Sequence, residues 1–244
     1  MDASTFIQEF QNIKNMGWVD SHRHGDTGIG KTLEDLMKIR ENNHQTYDLH
    51  GYEIKAHRNA SNSLITLFTK SPTHPRCANT ILRTNFGVQE NNDNSRVLHT
   101  SIYAGEFNSH RGGYSFKIEI EQNNNLTLYV RDSNNNIVSN DIQWNISHIN
   151  NILENKIKYL ALIKAEQRVY NNIEQFKYNS CILYSGITTD RFINSLRNQL
   201  ICVELRLGYY RSGRNMNRTH DHGTGFRISQ NDLQQLYPIV DNID

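Results

Sequence analysis

The sequence predicts an α+β fold organised around a mixed or antiparallel sheet, and three observations carry this. Tyr114–Ile120 and Leu126–Arg131 alternate apolar and polar residues on either side of Asn123-Asn124-Asn125, the pattern of a β-hairpin. Tyr159-Leu160-Ala161-Leu162-Ile163 is an apolar run of strand length, suited to the middle of a sheet. Helical spacing occurs only in scattered segments, so the regular βα alternation of a doubly wound sheet is missing.

Taken in order, Phe6, Ile7, Phe10, Ile13 and Met16 predict an opening helix over residues 4–16. Trp18 to His24 is polar and reads as loop. Leu33, Leu36, Met37 and Ile39 mark a second helix, with Thr32 as its cap, Glu34-Asp35 in its first turn and Asn42-Asn43 at its end. Strands follow at Tyr52–His57 and Ser63–Lys70, the latter stopped by Pro72 and Pro75. Residues 84–113 read as loop interrupted by a strand at Val97–Ile102. After the hairpin, Asn134-Asn135-Asn136 turns into a strand at Ile137–Trp144, and a helix spans Ile146 to Lys158. The central strand is followed by a strand at Phe176–Leu183, a helix at Thr188–Arg197, and strands at Leu200–Tyr210 and Phe226–Ile228.

The composition sets limits. At 244 residues the chain suits one large domain or a two-lobed one. A net charge of +1 neither announces nor excludes nucleic acid, because an acidic metal site can offset a basic surface. The three cysteines, Cys77, Cys181 and Cys202, lack CxxC spacing, which argues against a disulfide framework or zinc site and for a reducing cytoplasm. The first ten residues lack the pattern of a signal peptide, and no apolar run approaches the roughly 20 residues of a membrane helix.

The chemistry is densest at Asp48-Leu49-His50-Gly51-Tyr52-Glu53-Ile54-Lys55. On a strand, Glu53 and Lys55 share a face while Tyr52 and Ile54 turn towards a core. A turn at His50-Gly51 would bring Asp48 alongside. Two carboxylates and an ammonium then converge: oxygen ligands for Mg²⁺, and a cation to stabilise charge building on phosphorus. A strand edge carrying cross-strand ion pairs is the alternative.

Upstream, Gly25 to Thr32 matches G-x4-G-K-[ST], the phosphate-cradling loop of nucleotide-binding proteins. That mechanism needs a buried apolar strand running into the first glycine. Trp18 to His24 is too polar to be one, so the segment reads as a tight lead-in to the helix carrying Glu34. Its amides remain able to approach a DNA phosphate.

A second constellation lies near the C-terminus. Glu204 and Arg206 share one face of a strand, followed by Tyr210, Arg211, Thr219-His220-Asp221-His222 and Arg227. Arg fits guanine O6/N7 bidentately, and Glu or Asp accepts from cytosine N4. Arg211 to Arg218 suits a basic loop along phosphates. The alternatives are a salt-bridged surface hairpin, or zinc at His220 and His222, for which no further ligands sit at a suggestive spacing.

These blocks carry a resemblance. Thr27 to Leu36, Asp48 with Glu53-x-Lys55, Leu67 to Pro72, Arg206-Leu207-Gly208, Thr219 to Thr224 and Phe226-Arg227-Ile228 resemble the MvaI/BcnI-type type II restriction endonucleases, in the MutH-like branch of the PD-(D/E)xK nucleases. The C-terminal blocks look most like MvaI, while residues 85–200 match weakly. The resemblance implies a PD-(D/E)xK core with two lobes around a DNA cleft, a catalytic lobe over approximately 1–100 plus the central sheet, and a recognition lobe over approximately 165–244. It implies Asp48, Glu53 and Lys55 as catalytic residues, with Asp48 and Glu53 holding Mg²⁺ (or Mn²⁺), and Glu34 as a supporting acid. Glu204, Arg206, Tyr210, Arg211, His220, Asp221, His222 and Arg227 fall in the DNA-reading part. Arg206 and Arg227 would take guanines, Glu204 or Asp221 a cytosine, and His220 and His222 the central pair. Glu204 stands where the family often has Asp. The implied activity is cleavage of double-stranded DNA at a CC-N-GG-type site, CCWGG favoured, before the central base. A monomer is implied, with a companion DNA methyltransferase. A MutH-like nicking enzyme and a nucleotide-binding protein are the competing readings.

Overall fold

The computed structural model describes residues 3–39, 48–59, 63–90 and 95–243. The chain folds into two compact units, both assembled from separated segments. The first comprises Met1–Ser63, Asn151–Thr188 and Leu233–Asp244, and the second Leu64–Asn150 and Thr189–Asp232.

In the first unit the opening helix is Ala3–Asn15, burying Phe6, Phe10 and Ile13. Met16, counted on the apolar stripe by its spacing, lies past the helix end and is exposed. The predicted loop at Trp18–His24 contains a two-residue strand, Val19–Asp20, paired with Phe176 and Gln175.

The second helix, Gly28–Leu36, starts four residues before the predicted cap, so Thr32 is a buried mid-helix residue and Glu34 lies in the last turns. Gly28, the first residue of this helix, leaves no room for a side chain: a Cβ on it would collide with the carbonyl of Arg23. The expected stop at Asn42-Asn43 lies outside the described residues. The helix itself ends at Leu36, followed by Lys38 at φ 57°.

The sheet of this unit is five-stranded and mixed. Its interior pair is a long hairpin, Tyr159–Tyr170 with Ile173–Ser185, turned through Asn171 and Asn172 at positive φ. Tyr159–Tyr170 takes Glu53–Arg58 as a parallel neighbour, with Glu53 opposite Leu160. Ile239–Ile243, which periodicity did not suggest, covers the other side of Ile173–Ser185. Phe6, Phe10, Leu33, Tyr52, Ile163 and Phe176 belong to one apolar cluster beneath it. The apolar run at Tyr159–Ile163 is thus interior, as its composition predicts.

The second unit has a six-stranded antiparallel sheet centred on Ile201–Tyr209. This strand pairs with Arg96–Ile102, Gly225–Ile228 and the short Thr219–Asp221. The predicted hairpin forms Ser115–Ile120 and Leu126–Arg131, and Ile137–Trp144 adds a third strand. A helix at Ala78–Phe86 went unpredicted, although Ala78, Leu82 and Phe86 are buried at helical spacing. Its ends fall beside Pro75 and Gly87, which break the pattern at both sides.

Candidate functional site

In the first unit the hairpin turn forms where His50-Gly51 suggests. His50 has φ 48° and Gly51 φ 94°, the two left-handed residues that a tight two-residue turn needs. Leu49 and Tyr52 close it with a pair of backbone hydrogen bonds. The turn folds Asp48 back on the strand, where its Oδ2 accepts the Ile54 amide at 2.9 Å.

Glu53 opens the strand at 2% exposure. Lys55 Nζ donates to its Oε1 at 2.6 Å. Asp48, Glu53 and Lys55 are therefore brought together. Burial pushes the Glu53 carboxyl above its ordinary range; Lys55 opposes this, Asp48 reinforces it, and Lys156 opposes it. Glu34 sits half-buried on the helix packed against this strand.

Lys156, which sequence reasoning missed, follows the helix Ile146–Asn155. Its Nζ stands 3.7 Å from Glu53 Oε2, close enough for charge but not for a hydrogen bond. Its backbone is pinned: the amides of Lys156 and Ile157 both reach the Ile152 carbonyl, and the buried Tyr237 hydroxyl donates to the Ile157 carbonyl at 2.7 Å. No local motif could have flagged a residue that parallel pairing delivers from about a hundred positions away.

Glu53 Oε2 is buried and has no hydrogen-bond partner. An orphaned carboxylate oxygen beside a second carboxylate suits a hard cation, which takes oxygen ligands. Among the described residues no three His, Cys, Asp or Glu side chains converge. Asp48 and Glu53 are thus the protein ligands on offer, a set that fits Mg²⁺, which commonly rests on one or two carboxylates plus water and phosphate oxygens.

Lys156 yields a direct test. Its charge lowers the Glu53 pKa, so Lys156→Met lets the carboxylate hold its proton to higher pH. The titration of the Glu53 carboxyl, followed by NMR, should move upward in that variant and stay put in Lys156→Arg. An unmoved titration in Lys156→Met would count against the coupling.

The G-x4-G-K-T segment does not build a phosphate cradle. Lys31 Nζ pairs with Asp35 at 2.8 Å, one turn along the helix. Thr32 Oγ1 accepts the His22 amide. Arg58 caps the loop by donating to the Gly25 and Asp26 carbonyls. Arg58 ends the strand that Glu53 begins, about 16 Å away at 3.3 Å per residue. The loop therefore lies at the opposite end of the strand from the carboxylates.

In the second unit the predicted reading residues gather on and beside Ile201–Tyr209. Glu204 receives Arg227 Nη1 at 2.8 Å on each oxygen, and Arg206 Nε lies 3.5 Å from Oε2. Arg206 also donates twice to the Gly223 carbonyl, and Arg227 Nη2 donates to the Leu64 carbonyl. Tyr210 stacks on His220 with centroids 4.3 Å apart, and His220 in turn meets His222 at 4.0 Å with the rings tilted by 51°.

The His222 pKa is lowered by burial, and further by His220, His99 and Arg206. Asp221 accepts from Ser71, Asn79 and the Gly223 amide, an arrangement that shapes the loop. Arg211, exposed, reaches Glu90. Arg83, another residue that sequence reasoning missed, is buried beneath this surface. It donates to Thr219 Oγ1, the Arg96 carbonyl and the Asn217 carbonyl, which fastens the 217–221 segment.

A family model described as the MvaI/BcnI restriction endonuclease family matches residues 7–237. The chain belongs to the MvaI/BcnI restriction endonuclease family. It is a type II restriction endonuclease, a site-specific deoxyribonuclease. Solved structures similar to it include two of MvaI. The restriction endonuclease MvaI in complex with its cognate DNA substrate shares 37% identity, over 100% of this chain and 98% of that one, at a TM-score of 0.91. MvaI in the absence of DNA shares 37% identity over 98% and 96% of the chains, at a TM-score of 0.65. No curated protein sequence matches. The α+β architecture with its mixed sheet agrees with that of MvaI and with the PD-(D/E)xK class. No helix among the described residues is long and apolar enough to cross a membrane.

Proposed function

We propose that this endonuclease cuts double-stranded DNA at a CC-N-GG-type site, CCWGG favoured, 5′ of the central base, with Mg²⁺ as cofactor. The observation that carries the cutting half is the buried Glu53 oxygen without a hydrogen-bond donor, flanked by Asp48 and two lysines. The solved complex of MvaI with its cognate DNA, at 37% identity, supports DNA as the partner.

Asp48 and Glu53 would hold the cation. When bound there it supplies Lewis-acid polarisation of a phosphate oxygen and a lowered pKa for a coordinated water. Lys55, held by Glu53, is positioned to stabilise the negative charge that builds on phosphorus. Lys156 favours the ionised form of Glu53 against its burial, and Glu34 supports the carboxylates from the neighbouring helix. The first unit cuts and the second reads: Arg206 addresses guanine, Glu204 with Arg227 sets its position, and the rings of Tyr210, His220 and His222 lie alongside. Arg211 belongs to the phosphate-following loop.

The enzyme acts as a monomer, cuts the two strands in succession and works in the cytoplasm beside a companion methyltransferase. Plasmid digestion with Mg²⁺ tests this. Discrete linear fragments whose sequenced ends carry a one-nucleotide overhang are expected. Accumulation of nicked circles alone would instead favour a nicking enzyme, and cleavage retained by Lys55→Ala would remove the proposed site.

A further inference from the structure

The second unit contains a groove of about 850 Å³ with two walls. One wall holds Glu204, Arg206 and His222 together with His99, which pairs across the ladder from Arg206. The other is the loop from Asn108 to Arg111, a stretch that sequence patterning left as plain loop.

This loop is built rather than merely present. Asn108 Nδ2 donates to Thr100 Oγ1 at 2.8 Å and to the Ser101 carbonyl at 2.7 Å, while its Oδ1 accepts the Phe116 amide at 2.9 Å. The Asn108 amide donates in turn to the Phe116 carbonyl. The His110 ring stands edge-on to Phe116 at 5.5 Å. A loop already fixed in place loses little freedom on binding.

We propose that the loop is a second DNA-contacting wall, with His110 meeting a base edge and Arg111 a phosphate. It rests on the reading of Arg206 as a DNA-facing residue. Glu204, the one carboxylate lining the groove among the described residues, is already engaged by Arg227 and Arg206. Arg206 on one wall and Arg111 on the other therefore face the interior with positive charge, which suits a polyanion.

His110 has a defined donor. Its Nδ1 accepts the Gly112 amide at 3.3 Å, so the proton of the neutral ring sits on Nε2. Burial and then Arg111 hold its pKa below the ordinary value, which favours that neutral ring. A ring offering one donor selects acceptor edges, such as N7 and O6 of guanine, over the amino group of cytosine. Arg111 is exposed, as a phosphate contact requires.

The test measures binding of the full chain, without divalent metal, to a CCWGG duplex and to singly substituted duplexes over a salt series. Arg111→Ala should weaken all duplexes alike and reduce the slope of log affinity against log salt by about 1, with Arg111→Lys restoring it. His110→Ala should leave the slope alone and narrow the gap between the preferred and substituted duplexes by roughly 2- to 10-fold, the worth of a single hydrogen bond. His110→Gln, which keeps a donor, should recover part of that gap. Arg206→Ala serves as the reference. If it weakens binding while both loop variants behave as the parent does, the second wall is overturned and the reading groove stands. If Arg206→Ala also changes nothing, the groove is not the reading surface and both readings fall.

Discussion

Glu53→Gln should abolish DNA cleavage, by at least a factor on the order of 10³, and yet leave the metal-free protein more stable than its parent at neutral pH. The carboxylate is 2% exposed, and one oxygen has no donor. Burial holds its pKa above the ordinary 4.5. A carboxyl whose folded pKa is raised binds more protons when folded than when unfolded. Its contribution to stability is therefore complete below the unfolded value near 4.5 and is lost as pH rises through the folded value.

Glutamine keeps the shape and removes the ionisation. The two ammoniums it would leave behind, Lys55 and Lys156, are a quarter and nearly a quarter exposed, so both can turn to water. A gain on the order of 1 kcal/mol is expected, which for a chain of this size is about 2–4 °C in Tm. Thermal unfolding in EDTA between pH 4 and 8 would check it: the parent should lose stability across the carboxylate range while the variant stays flatter. A less stable variant would mean that the lysine pairs outweigh desolvation. Added Mg²⁺ should narrow the difference, because binding to the folded state favours the parent.

The parts of this site that the sequence makes legible are those built by neighbours along the chain. Glu53 and Lys55 share a strand face because of the two-residue period, and Asp48 joins them through a turn that His50-Gly51 announces. The hairpin around Asn124 is legible for the same reason. What stays hidden is brought in by tertiary pairing. Lys156 reaches Glu53 only because Tyr159–Tyr170 lies parallel to Glu53–Arg58. The early start of the second helix depends on a Cβ-free contact between Gly28 and the Arg23 carbonyl, which no propensity scale contains. The G-x4-G-K-T match shows the converse. A pattern can be complete in sequence while its lysine is spent on a helical neighbour and its threonine on a backbone amide. In the second unit, the strand Ile201–Tyr209 identifies Glu204 and Arg206 as a pair, but only the antiparallel ladder brings Arg227 to the same carboxylate.

That last contact makes Arg206 and Arg227 unequal, although their chemistry in sequence is the same. Arg206 lines the groove, with its side chain 37% exposed and its guanidinium anchored at one edge by the Gly223 carbonyl. Arg227 is 22% exposed, is held by both oxygens of Glu204 and by the Leu64 carbonyl, and has a buried Nε without a partner. Arg206→Ala should therefore cost DNA affinity and discrimination by roughly 1–3 kcal/mol with little change in Tm. Arg227→Ala should lower stability as well, by about 1–3 kcal/mol, because it strips Glu204 of its strongest partner and leaves the Leu64 carbonyl unpaired. Arg227→Lys restores charge but not the fork, so it should recover only part of the loss. A double-mutant cycle over Glu204 and Arg227 isolates their pair: Glu204→Gln combined with Arg227→Ala should destabilise less than the sum of the single changes. Equal effects of Arg206→Ala and Arg227→Ala on both Tm and binding would mean that the two guanidiniums do the same work, and that the Glu204 bridge gives way to DNA on both sides.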